Sequence, residues 1–292
     1  MHSNYLKGCL LVAGAALLFS LQPLIANTLY EEGANAWGAV FLRFLLPALI
    51  LVLFIKPTNH FKKSVALLLG AILALSATAY YSALQYISSG LAVILLYTYP
   101  VMIFAVTLAI KEEYLSARKA VAITTAISGI YISIETISGG SMTGMLLALA
   151  AACTFATYLL CSRRLLPENG GLSMVGWIMM GAVLLLFIPI ISGTAQLPTS
   201  MTGYGAGLVL SIFSGLIPIA MLTSGVQLMQ KDTDTGVLLT LEPIGTLLLA
   251  WLFLSEPLSL NSLLGSLMVV VAIVLLIVPQ KTAHQNTEKA LT

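Results

Sequence analysis

The chain has 292 residues, 59% of them hydrophobic and only 8% charged, with a net charge of +2. Soluble globular domains carry about 25% charged residues, so a soluble enzyme is excluded and an integral membrane protein is expected. The slight positive charge is no nucleic-acid signature, because the basic residues sit in short loops between apolar runs.

Crossing the hydrocarbon takes about 20 apolar residues. Ten such runs follow one another, at about 6–28, 35–55, 65–87, 89–110, 118–136, 143–163, 172–192, 204–229, 233–254 and 259–279. The first is too long for the apolar region of a signal peptide and lacks a cleavage site in a polar setting, so it reads as a span. Turn signals separate the runs at Glu31-Glu32-Gly33, Pro57-Thr58-Asn59, Ser88-Ser89-Gly90, Gly139-Gly140 and Pro167-Glu168-Asn169-Gly170. Residues 281–292 form a polar tail. Cys9, Cys153 and Cys161 lie within apolar runs and are expected as core thiols rather than disulfides or metal ligands.

Lys and Arg in the loops set the orientation. With the N terminus in the cytoplasm, Lys7, Lys56, Lys62, Lys63, Lys111, Arg118, Lys119, Arg163, Arg164, Lys231, Lys281 and Lys289 all fall on the cytoplasmic side. They are every basic residue but Arg43, which lies inside span 2, so both termini are placed in the cytoplasm.

The sequence repeats itself. Leu95 to Ser116, LLYTYPVMIFAVTLAIKEEYLS, echoes Leu238 to Ser259, LLTLEPIGTLLLAWLFLSEPLS, at an offset of 143: Pro100 falls on Pro243, Glu113 on Glu256, Ser116 on Ser259, and Tyr99 on Glu242. At an offset of 136, Gly8 falls on Gly144 and Phe19 on Phe155. Five spans per half is an odd number, so the second half is inverted. The charges agree, since the loop after span 4 holds Lys111, Arg118 and Lys119 and its counterpart after span 9 holds none. The expected fold is thus an all-α integral membrane protein of ten transmembrane helices in two inverted five-helix repeats, residues 1–137 and 138–280. Such inverted repeats mark secondary transporters, with the substrate site near the midplane.

These features resemble the EamA-type transporters of the drug/metabolite transporter superfamily. The two echoed stretches carry the resemblance, together with Leu42-Arg43-Phe44 in span 2. The resemblance implies a central cavity lined by spans 1, 3, 4, 6, 8 and 9, and movement of four-helix units of the two halves. It also implies peripheral spans 5 and 10 that suit a homodimer contact. Members of the family move amino acids, amines, drugs and other metabolites.

Glu242 is the leading site candidate. An ionised carboxylate in hydrocarbon costs about 2.5–3.5 kcal/mol even on lenient scales, and such groups usually mark a pathway. Glu242 lies about ten residues, or about 15 Å, from the cytoplasmic end of span 9. The roles open to it are coupling-proton acceptor, binder of a substrate ammonium, or partner of Arg43. Arg43 is read as a structural or coupling charge, pairing with Glu242, with carbonyls freed near a proline, or with a substrate carboxylate. On span 3, Thr78, Tyr81, Ser82 and Gln85 share a helical face. Tyr97 and Tyr99 lie too deep for an interfacial belt, and Tyr158 follows Thr154 and Thr157 on span 6. Gln22 and Gln227 carry amides that need several partners. The expected substrate-binding set is Gln22, Tyr81, Gln85, Tyr97, Tyr99, Tyr158, Gln227 and Glu242, with Pro100, Pro218 and Pro243 as gating breaks.

The three histidines, His2, His60 and His284, lie in loops or tails, and no metal motif or paired carboxylate is present, so neither catalysis nor a cofactor is expected. The expected partners are a small-molecule substrate, membrane lipid and a coupling proton. One acid, one arginine and polar amides favour export of a zwitterionic metabolite such as an amino acid. Expulsion of organic cations, or a passive channel, are the alternatives, and the inner membrane of a bacterium is the expected location.

Overall fold

A computed structural model describes residues 2–56, 61–112, 114–135, 141–166, 171–229, 232–256 and 259–277. The expected turns at 57–59, 139–140 and 167–170, Glu113, Lys231 and the polar tail 281–292 lie outside these residues.

The described residues fold as helices: α1 (His2–Phe19), α2 (Gln22–Glu31), α3 (Ala36–Phe54), α4 (Lys63–Ala83), α5 (Ser89–Leu96), α6 (Tyr99–Ala109), α7 (Ala117–Glu135), α8 (Met142–Leu165), α9 (Gly171–Ile191), α10 (Met201–Ser211), α11 (Ile217–Met229), α12 (Asp232–Leu239), α13 (Leu241–Phe253) and α14 (Leu260–Ile277), with a π turn at Ile212–Leu216 between α10 and α11. Among the described residues, seven helical stretches are long and apolar enough to cross a membrane. The ten expected runs are all helical, but three fall outside that count. α7 opens on Arg118 and Lys119 and is less apolar than the counted stretches, and Val237–Phe253 and Leu260–Leu276 are shorter apolar helices.

Four runs are interrupted in mid-course, and proline explains where. Pro23, Pro100 and Pro243 each stand in the first turn of the second piece, where the fixed φ of proline suits a helix start and its missing N–H breaks the bonding only at the junction with the piece before. Pro218 follows the π turn at the second position of α11. Pro47 and Pro189 lie inside unbroken helices. A proline removes the donor from the carbonyl four residues back, and three of these carbonyls find a donor elsewhere. The Leu239 oxygen, freed by Pro243, accepts from the Tyr97 hydroxyl at 2.9 Å. The Ser214 oxygen, freed by Pro218, accepts from Arg43 Nε at 3.4 Å. The Arg43 oxygen, freed by Pro47, accepts from Ser211 Oγ at 3.5 Å. Each bond joins the N-terminal half to the C-terminal half.

The main helix contacts also cross between halves. α4 packs along α8 and α9, α3 along α9, α1 along α11, and α7 along α14. Exchanging each run with the one five places on maps this pattern onto itself: α4 with α8 becomes α11 with α1, and α5 with α8 becomes α12 with α1. Glycines permit the closest approaches, as is usual between helices in lipid. A Cβ at Gly70 of α4 would lie 1.8 Å from the Ile178 carbonyl oxygen of α9, and one at Gly181 of α9 would lie 2.0 Å from that of Leu67. The echoed stretches end alike as well, in a left-handed residue just past the helix: Lys111 (φ 62°) after α6 and Ser255 (φ 55°) after α13.

Polar contacts fasten the loops. The Glu256 carboxylate accepts from Ser89 N–H at 2.9 Å and Gly90 N–H at 3.5 Å, at the N terminus of α5. Glu32 accepts from the Ser200 hydroxyl, and Asn35 exchanges hydrogen bonds with Gln196. Arg164 pairs with Glu112 at 2.7 Å. The three cysteines are free thiols. Cys153 is exposed on the outer face of α8 rather than in the core, because the alanines Ala148, Ala151, Ala152 and Ala156 take the packed face.

Candidate substrate cavity

The breaks meet around a cavity of about 300 Å³, at the lower end of the range for ligand pockets. Phe19 and Gln22 reach it from the break in the first run, Leu96, Tyr97 and Tyr99 from the break between α5 and α6, and Leu239 and Glu242 from the break between α12 and α13. Arg43 and Phe44 come from α3, Leu73, Ser76, Ala77 and Tyr80 from α4, Phe155, Tyr158 and Leu159 from α8, and Ile219 and Leu222 from α11.

Glu242 is half-buried and opens onto this space. Its Oε2 lies within hydrogen-bonding distance of the Tyr97 hydroxyl, at 2.8 Å. Tyr97 is 5% exposed, and its ring starts an aromatic wall: Tyr97 to Tyr99 at 5.8 Å, Tyr99 to Phe155 at 4.9 Å and Phe155 to Tyr158 at 5.9 Å between centroids. Arg43 lies 5.3 Å from the Phe44 ring and 5.8 Å from the Tyr81 ring, while its Nε holds the Ser214 carbonyl. Of the partners open to Arg43, the carbonyl freed by a proline is the one it takes. No ion pair joins it to Glu242 among the described residues. The cavity thus presents a guanidinium and a carboxylate, each with hydrogen-bonding capacity left for a guest.

Of the residues singled out in the sequence, Gln22, Arg43, Tyr97, Tyr99, Tyr158 and Glu242 come together here. Three others do not. Gln85 lies beyond the end of α4 and is exposed. Gln227 is exposed near the end of α11. At such ends an amide is solvated more cheaply than in the interior. Tyr81 is buried behind the lining, with its backbone oxygen accepting from Tyr30 at 2.8 Å and its own hydroxyl unpartnered. The face that α4 turns inward is Leu73, Ser76, Ala77 and Tyr80, one position round from the polar stripe of Thr78, Tyr81 and Ser82. Pro218 and Pro243 flank the cavity in sequence, and Pro100 stands beside a second, smaller cavity that also touches Tyr99, Thr107, Lys119 and Arg163. Sequence reasoning missed Tyr80, Ser76 and Phe155. The offset that places Phe19 on Phe155 was the available signal for the last.

An all-helical bundle with several apolar spans, proline-broken runs and a largely apolar cavity carrying one arginine and one glutamate is the architecture of a membrane permease. The chain belongs to the EamA-like transporter family, whose sequence profile matches it twice, over residues 6–134 and 142–278. It is 29% identical over 266 residues to the threonine/homoserine exporter RhtA of Escherichia coli (strain K12), covering 86% of this chain and 82% of that one. It is 28% identical over 261 residues to the exporter of the same name in Salmonella typhimurium (strain LT2), covering 85% and 80%. A solved crystal structure shares the fold, with a TM-score of 0.61 over 92% of this chain and 95% of that one at 19% identity.

Proposed function

We propose that the protein exports a small zwitterionic metabolite, an amino acid of the threonine or homoserine type, by alternating access around the central cavity. The observation that carries this reading is the presence of Arg43 and Glu242 in the lining of one cavity without an ion pair between them. A guest with its own carboxylate and ammonium can bridge them, and each bond to a charged group contributes about 1.5–3 kcal/mol. Gln22 and Tyr97 supply further polar contacts, and the cavity volume suits a small solute. The names of the bacterial relatives point to the same substrate class.

Alternating access calls for ten alternating spans with inverted halves, and the loop contacts support that arrangement. Glu32 with Ser200, Asn35 with Gln196, and Glu256 with Ser89 each join loops that ten alternating spans place on one side. Arg164 with Glu112 joins loops on the other, basic side, which we take as cytoplasmic together with both termini. A bacterial inner membrane is the setting that the relatives suggest.

The test is counterflow in proteoliposomes. Saturable exchange of labelled threonine, competed by homoserine, is expected. Flux that fails to saturate points to a channel. The aromatic wall from Tyr97 to Tyr158 favours a second reading, an organic-cation exporter. In that case quaternary amines compete and amino acids do not.

A further inference from the structure

We propose that Tyr97 is a positioning residue that clasps both pieces of the ninth run, α12 and α13, only while Glu242 carries a proton. Its hydroxyl lies 2.9 Å from the Leu239 carbonyl oxygen and 2.8 Å from Glu242 Oε2. A hydroxyl has one hydrogen to give, so it cannot serve both acceptors at once. Leu239 is the last residue of α12, and its oxygen has no helical donor because Pro243 lacks an N–H. Glu242 stands in the first turn of α13. Tyr97 therefore sits across the break, holding the end of one piece and the start of the next.

The charge on Glu242 decides how the single hydrogen is used. An ionised carboxylate only accepts, and charge-assisted bonds are the stronger ones. Tyr97 then gives its hydrogen to Glu242, the Leu239 carbonyl loses its donor, and α12 is held to the fourth run by one bond fewer. A protonated carboxyl has a hydrogen of its own. It donates to the Tyr97 oxygen, Tyr97 donates to Leu239, and the chain Glu242 to Tyr97 to Leu239 is complete. Tyr97 is 5% exposed, so little water reaches it as a substitute donor.

The other charged or titratable groups facing this cavity are Arg43 from α3, Tyr80 from α4, Tyr99 from α6 and Tyr158 from α8. Arginine keeps its proton in proteins, and tyrosine hydroxyls are neutral at ordinary pH. Glu242 is the group left to change charge. The clasp deepens the transport reading by naming what a proton on Glu242 does, and it is tested separately from flux.

The experiment is hydrogen–deuterium exchange of the full-length protein in lipid nanodiscs at acid and alkaline pH, corrected for the intrinsic exchange rate. In the wild type, protection of α12 is expected to fall about tenfold as pH rises, the size of one hydrogen bond. Tyr97→Phe is expected to lose the pH dependence and stay in the less protected state. Glu242→Gln, whose amide donates to Tyr97 as the neutral acid does, is expected to lose it in the more protected state. Pro243→Ala returns a helical N–H to Leu239 and should also remain protected at every pH. The proposal is overturned by a wild type whose α12 protection ignores pH, by Tyr97→Phe keeping the wild-type pH dependence, or by Glu242→Gln settling in the unprotected state. Threonine counterflow on the same preparations reports on the other question: no saturable exchange in the wild type defeats the transport reading and leaves the exchange result standing.

Discussion

Arg43 and Glu242 line one cavity from opposite halves of the chain, yet each has its own partner: Arg43 the Ser214 carbonyl and Glu242 the Tyr97 hydroxyl. A direct ion pair would consume both charges. The separate arrangement holds each in place with a neutral partner and leaves charge available to a guest.

Glu242→Gln removes the negative charge that would meet an ammonium while keeping the shape and a bond to Tyr97. Threonine affinity is expected to fall at least about tenfold, matching the loss of one charged hydrogen bond of about 1.5–3 kcal/mol. The melting temperature should move little. Isothermal titration and a thermal-shift assay on the same preparation check both halves of the prediction, and unchanged wild-type flux in proteoliposomes would rule the role out.

Arg43 has two jobs that substitution can separate. Arg43→Ala leaves the Ser214 carbonyl without its side-chain donor and removes the stack on Phe44, so a loss of about 1–3 kcal/mol in stability is expected. Arg43→Lys keeps the charge but not the planar fork, and should recover part of the stability and less of the binding. Denaturation in mild detergent and threonine binding, measured side by side, distinguish the two contributions.

The glycine crossings differ sharply in tolerance. Gly70→Ala forces a methyl into the Ile178 carbonyl, and since both sides are backbone neither can yield cheaply. Overpacking of this kind costs about 1–3 kcal/mol or more. Gly205→Ala on α10 meets nothing within 4 Å and should be neutral or stabilising by up to about 1 kcal/mol through helix propensity. Expression level and melting temperature of the pair give the comparison.

Glu256→Ala removes a carboxylate from the N terminus of α5, where it accepts from Ser89 and Gly90. A loss of about 0.5–2 kcal/mol is expected from the cap and the helix dipole together. Glu256→Gln should recover part of it. Thermal unfolding at low and high salt separates the charge contribution, because only that part is screened.

Much of this was legible in the sequence. Apolar length locates the runs, the 143-residue echo pairs Pro100 with Pro243, and the cost of burying a charge singles out Glu242 and Arg43. Helix phase was harder. On α4 the more polar stripe, with Thr78 and Tyr81, looked like the cavity face, yet Ser76 and Tyr80 occupy it. The rotation of α4 is fixed by backbone contact at Gly70 and by the Ser76 hydroxyl bonding the Ala151 oxygen at 2.9 Å, neither of which polarity reveals. Gln85 and Gln227 misled because depth along a run is hard to read: the run 65–87 overshoots α4 and leaves Gln85 beyond the helix, while Gln227 sits in the last turn of α11, exposed at its end.

The helices of the two halves are interleaved rather than set side by side: α4 is seated on α8 and α9, α1 on α11, and α7 on α14. Neither half has a finished interior by itself, so the nascent protein waits in the bilayer with its first five runs unmated until translation delivers the last. Expressed as two separate pieces, each is expected to be degraded alone and rescued when both are made in the same cell.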